Sequence, residues 1–318
     1  MKRAGGAAGQ RGSRFAARQR GSRFAAGQRG SGAVLAWTVL ACSAPHLPPA
    51  PAPGHYSVVH IDSFPSLILN ERRVLDVYLP PGHDSAGKAR YPVLYLNDGQ
   101  DATALGLLPT LDSLTARGRI PPLVVVAIHA NDQRLQDYGT AGTPNAQGFG
   151  ARAHLYERFV LEEVMPWAAA RYRLRAGPAH TAVLGSSLGG LAAFDLAWRH
   201  PDVFGTVGAM SGSFWWRTQD GTLEEKQASR VALTMVRETT PLPRLRIWLE
   251  TADGDETSDR DGNGVIDSIQ DTDDLVDALV TRGYVRGNDV VHVTVAGAHD
   301  QTTWGRILPE FLYWTYRN

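Results

Sequence analysis

An α/β fold, a mostly parallel sheet with helices on both faces, is predicted by three observations. Apolar segments of strand length alternate with segments of helical period along most of the chain. Several strand candidates are continuously apolar rather than alternating, as strands covered on both faces are. One of them, Ala182-Val183-Leu184, runs directly into Gly185-Ser186-Ser187-Leu188-Gly189 and then an apolar helical pattern, so that a serine stands at the apex of a strand, a sharp turn and a helix. The 318 residues, 43% hydrophobic, suffice for one large domain with a sizeable core.

The first segments do not belong to that fold. Residues 1–32 read as a basic low-complexity leader: Gln-Arg-Gly-Ser-Arg-Phe-Ala-Ala occurs at Gln10 and again at Gln19, too polar to bury anything. Residues 33–41 are an apolar run behind positive charge, with the proportions of a signal-peptide core and too short to span a bilayer. Cys42 is the only cysteine, which excludes an intramolecular disulfide. Its place after Val39-Leu40-Ala41 resembles a bacterial lipoprotein lipobox, although Leu40 is less usual there than a small residue. This implies export, with the product either secreted or held as a periplasmic or outer-membrane lipoprotein through a lipidated Cys42. Ordinary cleavage near Ala44 and an unprocessed leader are the alternatives. Residues 42–55, rich in proline, form an extended tether. The formal net charge is zero, but the eight basic residues before position 33 have no acidic partner there. The rest of the chain carries 24 basic against 32 acidic residues, which argues against a nucleic-acid surface.

Residues 56–318 form the body. Arg73 to Leu79 alternates as a half-buried strand and stops at Pro80-Pro81-Gly82. Tyr91 to Leu96 and Leu123 to Ile128 read as inner parallel strands, with a helix from Leu108 to Arg117 between them. A helix from Leu155 to Tyr172 follows. The remaining elements are strands at Thr181 to Leu184, Gly205 to Met210, Leu245 to Leu249 and Val290 to Val295. Helices are expected at Leu188 to Arg199, Asp273 to Thr281 (with Gly283 beyond its end) and Thr302 to about Tyr316. Reactive groups in such a fold collect at the carboxyl ends of the strands, where Ser187 lies.

A serine hydroxyl needs a base to take its proton and an acid to orient that base, in the chain order Ser, Asp or Glu, His. His299, immediately beyond the last strand in Ala296-Gly297-Ala298-His299, is the expected base; His292 and His200 read as structural. The acid must come from the loop after Leu249, where Asp253, Asp255, Glu256, Asp259 and Asp261 all qualify by type. Two backbone donors must face the oxyanion of the tetrahedral intermediate. Leu188 N–H supplies one, and the N–H of Gln100 or Gly99, in Asn97-Asp98-Gly99-Gln100, the other.

With these residues in place, the body resembles the Putative esterase family of α/β-hydrolases, which takes in siderophore (enterobactin) esterases, feruloyl esterases, S-formylglutathione hydrolases and mycolyltransferases. The resemblance runs from about Val74 to Trp314. It rests on Val77 to Gly82, Tyr91 to Tyr95 leading into Asp98-Gly99-Gln100, Arg134 with Asp137-Tyr138, and Gly185 to Gly190. His200-Pro201 with Phe204, Ser211 to Trp216, and His299 followed by Trp304 continue it. The resemblance implies the α/β-hydrolase fold, maps the acid best onto Asp255 with Asp253 and Glu256 open, and sets Trp215 and Trp216 as walls of the substrate cleft. The alternative for that aromatic pair is packing under a loop.

Asp259-Arg260-Asp261-Gly262-Asn263-Gly264-Val265-Ile266-Asp267 follows the start of an EF-hand loop. A calcium ion on Asp259, Asp261, Asn263 and Asp267 would order the acid loop, although Gln270 stands where the bidentate glutamate belongs. A solvated turn is the alternative. The chemistry itself needs no cofactor. The expected function is a serine carboxylic-ester hydrolase working on a small-molecule ester through an acyl-enzyme. A siderophore esterase, an acyltransferase and a non-catalytic binding protein on the same fold are the alternatives.

Overall fold

The structure is a computed structural model that describes residues 54–84 and 87–317. The leader, the apolar segment 33–41, Cys42 and most of the tether therefore lie outside the described residues. Eight strands form one sheet: β1 (Ser57–Ser66), β2 (Glu71–Leu79), β3 (Val93–Asn97), β4 (Val124–Ile128), β5 (Thr181–Ser186), β6 (Thr206–Met210), β7 (Arg246–Gly254) and β8 (Val290–Ala298), in the order β1-β2-β4-β3-β5-β6-β7-β8. β1 and β2 are antiparallel to each other, and β2 to β4. From β4 through to β8 all neighbours are parallel.

The helices are α1 (Leu107–Ala116), α2 (Arg134–Asp137), α3 (Ala153–Arg158), α4 (Met165–Arg171), α5 (Leu188–Arg199), α6 (Leu223–Ala228), α7 (Val231–Glu238), α8 (Asp267–Thr281) and α9 (Gln301–Tyr316). The continuous apolar runs explain why they cover both faces. In β3, Leu94 and Leu96 pack with Leu111 of α1 and Phe311 of α9, whereas Val93 and Tyr95 belong to the opposite cluster with α5, α7 and α8. A strand buried on both sides presents apolar groups at every position, and each fully buried Leu, Val or Phe contributes about 1.5–3 kcal/mol.

Four elements differ from expectation. The helix expected from Leu155 to Tyr172 is α3 and α4 joined by a π-helical stretch, Phe159–Val164. The strand expected to end at Leu249 continues to Gly254, paired with β8 except for an irregularity between Ala252 and Gly254. The helix expected from Asp273 begins at Asp267. Edge strand β1 carries no sequence signal because most of its side chains face solvent.

Candidate active site

β5 delivers Ser187 into a bend that L-residues seldom adopt, with φ 56° and ψ −126°. The bend is held from three sides. Ser187 N–H donates to the Met210 carbonyl at 2.8 Å, while the Ser187 carbonyl accepts from Gly190 N and, across the loop after β6, from Ser213 N at 3.1 Å. A Cβ at Gly185 would lie 2.0 Å from the Gly189 carbonyl oxygen, so only glycine lets α5 fold back this closely on β5. Leu188 is the first residue of α5, and its N–H has no preceding helical carbonyl to bind.

His299 is fixed by the start of α9. Asp300 caps the helix by accepting from Thr303 N at 2.8 Å, and the Thr303 hydroxyl holds Ala298 N at 3.0 Å. The extension of β7 brings the acid to it. Gly254 pairs with Ala298, so the residues that follow, Asp255 and His299, stand side by side, with His299 Nδ1 3.4 Å from Asp255 Oδ1. Asp255 is almost wholly buried, and its Oδ2 accepts from Ala252 N at 2.9 Å. Asp253, by contrast, accepts from Gly297 N. Glu256 lies on the cleft wall, its carboxyl pushed upward chiefly by burial and held by the backbone N–H of Ser268. Ser187, Leu188, Ser213, Trp215, Asp255 and His299 all line one cleft of about 350 Å³.

Two residues to which the sequence attached no role complete the arrangement. The Ser211 hydroxyl donates to Asp255 Oδ1 at 2.7 Å and accepts from Trp304 Nε1 at 2.8 Å. The Trp304 ring stands edge-on to His299, with centroids 5.1 Å apart. Their only signal in the sequence is position, at the carboxyl end of β6 and one turn into α9. Below Asp255, Glu250 on β7 has no exposed surface and no hydrogen-bond partner for either carboxylate oxygen. Burial first, then the nearby Asp255 charge, pushes its carboxyl up to about 8.

On the other side of the elbow, Asp98 takes a bidentate bond from Arg134, both contacts 2.8 Å, and its own N–H donates to the Tyr138 hydroxyl. This anchors the short turn Gly99–Asp101. Gln100 is exposed, its side chain joining Asp98 to Ala130 N. His292 bridges Thr251 and Asp273, and His200 lies 3.2 Å from Glu157.

One expectation needs correction. Trp215 lines the cleft, but Trp216 is fully buried, its ring so close to Gly139 and Gly150 that a Cβ at either would lie 2.7 Å from it. The two rings lie against each other, centroids 6.0 Å apart, with Trp215 at the cleft and Trp216 in the core beneath it. At the four expected calcium ligands, the polar groups are engaged by the protein itself. Asp259, Asp261 and Asn263 accept N–H groups of their own loop. Asp267, as the first residue of α8, accepts from Arg260 N, and the Arg260 guanidinium binds Asp271 beside it. Among the described residues no group of three or more His, Cys, Asp or Glu is placed to hold a metal ion.

A mixed sheet parallel from β4 to β8, with helices on both faces and a strained serine between β5 and α5, is the α/β-hydrolase fold. The chain belongs to the Putative esterase family, whose model matches residues 66–315. It is 34% identical over 140 residues to the iron(III) enterobactin esterase of Escherichia coli K12, a stretch covering 42% of this chain and 32% of that one. It is 30% identical over 148 residues to an endo-1,4-β-xylanase/feruloyl esterase of Xylanibacter ruminicola, covering 43% of this chain and 19% of that one. The chain spans less than two thirds of the length of the first curated relatives, between 19% and 61%. A solved ferulic acid esterase superimposes with a TM-score of 0.64 at 22% identity, over 82% of this chain and 98% of that one, a likeness of fold.

Proposed function

We propose that the chain is a serine carboxylic-ester hydrolase working through an acyl-enzyme, with Ser187 as nucleophile, His299 as base and Asp255 as the acid that orients it. The observation that carries this reading is the buried Asp255 carboxylate 3.4 Å from His299 Nδ1, in the same cleft as a serine held at φ 56°. A carboxylate at Nδ1 keeps the proton there and leaves Nε2 free to accept. As Ser187 Oγ attacks the ester carbonyl, its proton passes to Nε2. The carbonyl oxygen gains the negative charge, and the N–H groups of Leu188 and of Gln100 or Gly99 stabilise it. Collapse breaks the bond to the alcohol, which leaves with the proton from His299. Water then repeats the sequence on the acyl-enzyme and releases the acid. No step requires a cofactor.

The test is Ser187→Ala assayed on an activated short-chain ester such as 4-nitrophenyl acetate. Its kcat should fall by at least about 10⁴-fold with an unchanged thermal unfolding curve. Turnover close to that of the unaltered protein would overturn the mechanism.

A further inference from the structure

The cleft carries a charge pattern that bears on which esters it accepts, an inference that rests on the esterase reading above. Beside the Ser187–His299 pair, the cleft is lined by Trp215, Glu256 and Ser268, and among the described residues no lysine or arginine lines it. Glu256 lines the cleft beside Ser268, a residue in the first turn of α8. The charged groups behind it, Asp267 and Asp271, are acidic as well. Those two aspartates are in turn paired with the Arg260 guanidinium.

A carboxylate in a half-enclosed cleft interacts more strongly with a second charge than one in open water, because the surrounding dielectric is lower and counter-ions screen it less. We propose that Glu256 is the specificity-determining residue of this cleft. It admits esters whose substituents are uncharged or cationic and rejects those carrying a negative charge. Trp215 offers an uncharged ring a flat apolar face.

The test uses three acetyl esters built on one phenol frame: 4-acetoxybenzoate, its methyl ester, and 4-acetoxybenzyltrimethylammonium. Each kcat/KM is divided by that ester's rate with hydroxide, so that leaving-group reactivity cancels. The anion should be hydrolysed at least about tenfold less efficiently than the methyl ester, equivalent to about 1.4 kcal/mol, and the cation at or above it. Glu256→Gln, which removes the charge at nearly constant size, should bring the three within about threefold of one another. Equal rates for anion and methyl ester in the unaltered protein, or an unchanged ordering in the variant, would overturn the charge selection. Turnover of none of the three would overturn the esterase reading instead. Charge selection is then read by calorimetry, from the affinities of the three corresponding phenols for the Ser187→Ala protein. The same ordering is expected there, and equal affinities would overturn it.

Discussion

Ser211 shows how much of the site rests on groups that carry no reactivity of their own. Its hydroxyl joins the Trp304 indole to Asp255, and its backbone, at φ 45°, is itself held in an uncommon conformation. Ser211→Ala leaves a buried N–H and a buried carboxylate oxygen each one partner short, at about 1–3 kcal/mol for a deserted polar group. We expect kcat to fall about tenfold with KM nearly unchanged, because the acid loses its orientation while the cleft wall stays in place. A change confined to KM would mean that Ser211 touches substrate instead. At this scale the sequence was legible where backbone geometry decides. Ser187 sits in a glycine-flanked turn that few other segments could make, and His299 follows a strand directly. It was not legible where side-chain direction decides: Asp253, Asp255 and Glu256 lie within four residues, and only the pairing of Gly254 with Ala298 determines which of them meets the imidazole. Trp215 and Trp216 failed to separate for the same reason.

At the scale of elements, the stretch from Asp259 to Asp271 is governed by Arg260. The ligand pattern reads correctly by type, but the guanidinium in its second place occupies Asp267 and Asp271. Arg230 binds Asp271 as well, and Asp274 at 2.6 Å, tying α8 to the segment before α7. Sequence periodicity could not anticipate this, because these partners lie 7 to 44 residues apart. Breaking a buried pair by removing one partner strands the other charge, typically at 3–5 kcal/mol, a cost that Arg230 would share here. Arg260→Met is therefore expected to lower the thermal midpoint by several degrees and to loosen the cleft wall formed by Glu256 and Ser268. Chelator added to the unaltered protein is expected to leave the midpoint unchanged. A midpoint that falls with chelator and returns with calcium would show that an ion, rather than the arginine, orders the loop.

For the whole molecule, the inner strands and their covering helices were legible because burial on both faces leaves continuous apolar runs. β1 was not, since a solvent-facing edge strand need carry no such run. The least expected member of the core is Glu250. In the unfolded chain its carboxyl ionises near the ordinary 4.5, whereas in the fold it stays protonated up to about 8. The folded state thus holds a proton that the unfolded state has released, and stability falls as pH rises through that window. The contribution is complete below about pH 4.5 and lost by about pH 8, at up to about 1.4 kcal/mol for each pH unit. Glu250→Gln should remove this slope. Urea unfolding at pH 5 and pH 8 should show the variant gaining about 2–4 kcal/mol on the parent between the two, and a constant difference would contradict the burial of an ionisable carboxyl there.

The edge-on contact between Trp304 and His299 makes the protein its own optical probe. An imidazolium is a strong quencher of indole emission and a neutral imidazole a weak one, so Trp304 should dim as its neighbour gains a proton. The chain has eight tryptophans, and subtracting the emission of Trp304→Phe isolates this one. The charge state of the candidate base can then be followed by fluorescence, in the resting protein and without a substrate.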